Sequence, residues 1–121
     1  MKTKTYKGWL GHDEYDFLTI TKVGEKSDLP LAELITEDWK KGDQVSLRYY
    51  IADKPMTENQ ATGALIQKLY GGDLDAEYDL EAYSEYTIEA WEEGLKIGGH
   101  DLIKELEGYS GKYIIVVVEA R

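Results

Sequence analysis

The 121-residue chain has no cysteine, two prolines, two histidines and a single phenylalanine. Without thiols there is no disulfide scaffold, no thiolate nucleophile and no Cys-ligated zinc or iron–sulfur site, and a reducing, cytoplasmic location is the expectation. Long apolar runs are missing too. The longest, Tyr113 to Val118, falls far short of the roughly 20 residues a membrane span needs, and the opening MKTKTYKGWL has no signal-peptide core. Basic residues are scarce: 14 Lys and Arg stand against 24 Asp and Glu, for a net charge of -10. That balance argues against direct binding to nucleic acid or anionic lipid, both of which require a basic surface. No phosphate-binding Gly-rich loop, nucleophile elbow or His-Glu-x-x-His pair occurs, so an enzyme is the weaker expectation and no cofactor is called for.

What is present suffices for one folded domain over residues 1–121. Leu, Ile, Val and Phe supply 28 of 121 residues, above the level at which charged chains stay disordered. Tyr6–Leu10 and Tyr15–Thr21 are rich in aromatic and β-branched residues and flank a Gly-His-Asp-Glu turn, a hairpin signal. Asp28 and Pro30 suit the cap and first turn of a short helix through Leu31, Leu34 and Ile35. Val45, Leu47, Tyr49 and Ile51 then alternate with Ser46, Arg48, Tyr50 and Ala52, the period of a strand with one dry face. Thr57 with Gln60 reads as a capping box, followed by Ala61, Leu65 and Leu69 on one face and a Gly71-Gly72 stop, which predicts a second helix. Asp101 caps a third, through Leu102, Ile103 and Leu106. Residues 113–119 lack polar alternation and should form a central strand covered on both faces.

The stretch 73–93 satisfies two periods. Asp73, Asp75, Glu77, Asp79 and Glu81 alternate with Leu74, Ala76, Tyr78, Leu80 and Ala82, and five such alternations fit strands at 74–82 and 85–91 better than a helix. The expected class is α+β, with a curved, mainly antiparallel sheet or small barrel of about six strands and three short helices. The order also allows a ββαβ duplication joined by the capped helix as a bridge.

Nine carboxylates and no Lys or Arg lie between Asp73 and Glu93. Residues two apart on a strand are about 6.6 Å apart on one face, so the run presents a row of evenly spaced negative charges. Asp73, Asp75, Glu77, Asp79, Glu81, Glu85 and Glu89, with the interleaved Tyr78, Tyr83 and Tyr86, are the candidate partner-binding residues. The expected partner is a basic protein surface, such as the nucleic-acid-binding groove of an enzyme. The chain would then act as an inhibitor or decoy, as antirestriction and anti-CRISPR proteins do by analogy of class alone. A plain reading competes with it: an acidic edge strand that serves only solubility. An EF-hand is excluded, because Tyr78 and Ser84 stand where that loop needs Gly and Glu. Both histidines lie in Gly-His-Asp, so a metal- or ligand-dependent enzyme would use His12, Asp13, His100 and Asp101, provided they converge.

Overall fold

The computed structural model describes residues 2–84 and 87–121, with side chains described for all of these outside 80–91. The strands are β1 (Thr3–His12), β2 (Leu18–Thr21), β3 (Asp28–Pro30), β4 (Gln44–Ala52), β5 (Ile66–Ser84), β6 (Thr87–Ile97), β7 (His100–Asp101) and β8 (Tyr113–Ala120). Helix α1 (Leu31–Asp38) precedes β4, and α2 (Leu102–Leu106) precedes β8. All eight strands form one curled sheet in the order β3-β2-β1-β8-β4-β5-β6-β7, every neighbouring pair antiparallel.

The sheet has one thick face and one thin one. Both helices pack on the same side, where Leu31, Ile35, Trp39, Leu102 and Leu106 meet Tyr6, Leu10, Val45, Leu47, Tyr49, Leu74 and Val116. On the other face Tyr113, Ile115 and Val117 are covered by Trp9, Tyr50 and Met56. This explains why β8 shows no alternation: both of its faces are dry, and each Ile or Val buried there is worth about 1.5–3 kcal/mol. β4 alternates because its outer residues Ser46, Arg48 and Tyr50 reach solvent.

Exchanging β1 with β5, β2 with β6, β3 with β7 and β4 with β8 turns the strand order into its own reverse, so the topology has an internal two-fold between β4 and β8. Residue contacts follow it. Leu10 donates to the Lys112 carbonyl and accepts from Gly111 N–H, while Leu74 donates to the Asp43 carbonyl and accepts from Gly42 N–H, each at 2.8 Å. Gly42 and Gly111 both have a left-handed φ, +93° and +88°, which a β-carbon would strain. Gly8 closes on Thr21 and Gly72 on Gly98 so tightly that a β-carbon would lie 2.6 Å and 2.9 Å from the opposing backbone.

The halves differ in their hairpins. Nine residues separate Leu10 from its partner Ile20, but 22 separate Leu74 from Ile97, so the β5–β6 hairpin is 13 residues longer.

Several expectations need correction. Among the described residues the strands number eight rather than about six, because β3 and β7, of three and two residues, are too short to carry a period. β2 starts at Leu18, and the turn falls after His12, with Asp13 Oδ1 accepting from the Tyr15 and Phe17 N–H groups. Asp28 does not cap α1: it sits in β3 and takes the Thr21 hydroxyl at 2.5 Å, leaving Pro30 at the N-cap.

The bridging helix is absent. Gln60 does accept from Thr57 N–H, but only a 3-10 turn over Glu58–Gly63 follows. From Leu65 N–H onto the Ile51 carbonyl the chain pairs along β4 instead. Ile66 and Tyr70 turn toward the core while Leu65 and Leu69 stay 64% and 66% exposed, so the available sheet edge overrides the i, i+4 spacing. The strands expected at 74–82 and 85–91 are the two arms of one longer hairpin, residue 85 lying outside the described residues. The caps at Asp101 and the central position of β8 are as expected.

Gly8→Ala should cost about 1–3 kcal/mol, since the obstacle is the Thr21 backbone, which cannot swing aside. Gly63→Ala, which meets nothing within 4 Å, should stay within about 0.5 kcal/mol of the parent. Urea unfolding of the two variants checks both values.

Candidate binding face on the long hairpin

β5 changes partner part-way. Residues 66–73 pair with β4, and from Leu74 onward the strand pairs with β6. The described part of the alternation holds: Leu74 and Ala76 are buried, while Asp73, Glu77 and Asp79 are exposed and Asp75 is partly so. In an antiparallel ladder directly opposed residues share a face. Asp75 therefore faces Lys96, Glu77 faces Gly94, and Asp79 faces Glu92. The last is a pair of like charges directly opposed, an arrangement that costs stability.

Bases reach this face from elsewhere in sequence, which corrects the expectation of an unrelieved row. Lys41, in the α1–β4 connection, lies 3.2 Å from Glu77 Oε1 and 3.5 Å from Asp75 Oδ1. The hydrogen bond to Glu77 and the charge of Asp75 hold its ammonium above the usual lysine range. The pair is solvent-exposed and worth little to stability. Asp73 accepts from the Gln44 amide. Asp79 and Glu92, farther out, have no basic residue across the ladder. Among the described residues the face thus holds Asp73, Asp75, Glu77, Asp79 and Glu92 against Lys41 and Lys96.

Not every candidate lies on it. Tyr78 is on the opposite, inner face, where its ring meets Phe17 edge-on at 5.3 Å, so it is no part of an acidic-face contact. Glu81 and Glu89 lie on the strands, but their side chains, like that of Tyr83, fall outside the described ones. Glu85 and Tyr86 lie outside the described residues altogether.

Glu93, opposite Tyr78, is the residue that the alternation did not single out. It points inward, and its Oε2 accepts from Leu18 N–H at 2.7 Å, tying the base of the hairpin to β2. Burial pushes its pKa up to about 7. The Leu18 hydrogen bond opposes this, and the charges of Asp13, Glu107 and Asp16 add to it. Lys41 and Glu93 gave no local signal, because each acts across a contact distant in sequence.

The histidines do not converge on a shared site. His12 Nδ1 lies 3.2 Å from Ser110 Oγ, and Asp13 organises its own turn. His100 stacks on Tyr70 with ring centroids 4.3 Å apart and sits 3.0 Å from Glu105 Oε1, while Asp101 accepts from Lys104 N–H. Glu105 also accepts from Tyr49 at 2.5 Å and Tyr70 at 2.7 Å. Burial works against its charge, but the hydrogen bonds from Tyr49, Tyr70 and His100 outweigh it and hold the carboxyl below the usual range. The Glu105 carboxylate is thus filled from within by Tyr49, Tyr70 and His100, as in a structural polar network. Among the described residues no three His, Asp or Glu side chains are grouped to hold a metal ion, and no helix is long and apolar enough to cross a membrane.

The chain matches no protein-family profile, no curated protein and no solved structure. Function must therefore be argued from the geometry.

Glu93 sets a pH dependence whose sign is opposite to that of an ordinary surface carboxylate. Its folded pKa lies above the unfolded value, so between about pH 4.5 and 7 the folded state holds a proton the unfolded state has released, and stability falls as pH rises. After allowance for partial solvent exposure the loss is on the order of 1–2 kcal/mol. Glu93→Gln, which keeps an acceptor for Leu18 N–H, should remove that slope. Urea midpoints at pH 5, 6 and 7 for the parent and the variant measure it.

Proposed function

We propose that the β5–β6 hairpin is a docking element for a basic protein surface of the kind that binds nucleic acid, and that the protein acts as a non-enzymatic inhibitor or decoy of its partner. The observation that carries this reading is the hairpin's length. The first half completes the same topology with nine residues where the second half uses 22, so the fold does not require the extension. The extension is also where the acids collect, including the opposed pair Asp79 and Glu92. An opposed acidic pair that costs stability, on an extension the architecture does not demand, is what a partner of opposite sign would relieve. Carboxylates about 6.6 Å apart along a strand offer such a partner a repeating anionic track, loosely like a phosphate backbone.

The two-fold correspondence of Leu10 with Leu74, Gly8 with Gly72 and Gly111 with Gly42 favours descent of both halves from one ββαβ unit. On that reading the long hairpin is an elaboration of one copy. The enzyme reading has less behind it, since His12 and His100 belong to separate networks.

The test is affinity capture from a cell lysate, at low and at high salt, with the parent and with the triple variant Asp75→Lys, Glu77→Lys, Asp79→Lys. The parent should retain a basic nucleic-acid-binding protein at low salt and release it at high salt, and the variant should retain none. Asp75→Lys and Glu77→Lys set new ammonium groups beside Lys96 and Lys41 and should each cost up to about 1 kcal/mol, whereas Asp79→Lys removes an opposed acidic pair, so urea unfolding of the triple variant accompanies the capture. Equal capture by a folded variant would sink the proposal.

A further inference from the structure

The two halves also differ just after their second strands. Three residues connect Gly98 to α2, but nine connect Thr21 to α1. In the second half the short connection sets His100, two residues after Gly98, flat on Tyr70. In the first half the residue two after Thr21 is Val23, which is 58% exposed. A cavity of about 480 Å³ opens there and straddles β1: Tyr6, Ile20 and Leu34 line it from the helix side of the sheet, Lys7 and Tyr113 from the other. Tyr6 is itself buried, its hydroxyl on Asp38 Oδ2 at 2.8 Å, so what the cavity lays open is the edge of the strand.

β1 pairs with β8 from Thr3 to Trp9, but with β2 only from Trp9 onward. Leu10 directs its N–H and carbonyl toward β8, and the Lys2 carbonyl accepts from Ala120 N–H on that same side. By strand alternation the N–H and carbonyl groups of Thr3, Thr5 and Lys7 point the other way. Among the described residues no backbone group takes them, and all three residues are exposed. Lys7 and Lys22 line the opening against the single carboxylate of Glu25, and among the described residues neither lysine has an ion-pair partner. In a protein of net charge -10, this is a local excess of positive charge. Lysines on an edge keep like edges from pairing with each other, and the same charge selects a strand of opposite sign.

We propose that the β1 edge at residues 3–7 takes up an extended acidic peptide segment as an added antiparallel strand, in line with β2. Residues of that strand opposite Thr5 and Lys7 share their face of the sheet, so carboxylates there meet Lys7 directly and on the diagonal. The residue between them, opposite Tyr6, faces the helix side, where Ile20 and Leu34 line the cavity. The pattern recognised is acid, apolar, acid, with main-chain hydrogen bonds supplying affinity and the alternate side chains selectivity. The site depends on no residue of the acidic hairpin face, so it stands or falls independently of the docking reading.

Titration of the full chain with acetyl-Ser-Glu-Val-Glu-Val-Ser-amide, followed by amide NMR, tests it. Saturable shifts are expected at Thr5, Lys7 and Leu34. At saturation the Thr5 and Lys7 amides should exchange with solvent at least about 10-fold more slowly, while the Tyr6 amide, which already faces β8, should not change. The peptide with Lys in place of both Glu should bind at least about 10-fold more weakly. So should the peptide N-methylated at both Glu residues, which keeps its charge but loses two donors. Thr5→Pro removes an N–H that the β8 ladder does not use, a substitution that edge strands accept, and should abolish the saturable shifts. Lys7→Glu should weaken binding at least about 10-fold. The proposal is overturned by shifts that never saturate or that map elsewhere, by unchanged exchange at Thr5 and Lys7, or by equal affinity for the lysine or the N-methylated peptide. It is overturned equally by a peptide-free dimer that Thr5→Pro dissociates, which would give the edge to a second copy of the chain.

Discussion

The pairing of β4 with β8 is the centre of the seam along which the two halves of the molecule meet, flanked by β1 on β8 and β5 on β4 and running in unbroken register from Val45 opposite Ala120 to Ala52 opposite Tyr113. It also forces an exchange. Each half places its last strand beyond the other's, so β8 lies between β1 and β4, and β4 lies between β8 and β5. Neither half closes a sheet alone. The buried run Tyr113 to Val118 follows from this position, since a strand at the centre has apolar neighbours on both faces. The glycine turns at 42 and 111 follow as well, because each feeds one of the exchanged strands onto the leucine that opens the opposite hairpin.

Against that symmetric frame the differences between the halves are informative. The second half carries a hairpin far longer than the first, and it fills the space beside Tyr70 with its own histidine and a glutamate that accepts from both Tyr49 and Tyr70. The first half has the short hairpin, the long connection before α1 and the cavity beside Tyr6. Core packing is shared between the halves, whereas the acidic face and the cavity are each found in one. A fold's requirements apply equally to both copies of a motif, so what one copy alone possesses is where function is to be sought.

Much of this was legible in the residues. The alternation of Val45 to Ile51, the apolar run before Glu119 and the Asp101 cap each depend on local geometry, and local geometry is written in spacing. The alternation of 73–79 also placed the described acids on a shared face. The capping box at Thr57 misled because its local signal was real but outcompeted: the open edge of β4 offered residues 66–73 a full ladder of backbone hydrogen bonds. Lys41 on the acidic face and Glu93 against Leu18 were not legible, since each depends on how the curled sheet brings distant segments together.

The exchanged strands also fix a timetable. As the chain is made, β1 to β3 emerge first, yet β1 finds its full-length neighbour only when β8 has been synthesised, after every other strand. Until then β1 and β4 each present an unpaired edge, with the gap between them the width of one strand. The sheet is thus completed by insertion into its middle rather than by growth at its margin. Folding of the whole domain in consequence waits for β8 and is governed by pairings of long sequence separation, and a nascent chain stalled before Tyr113 exposes two sticky edges to whatever strand is nearby.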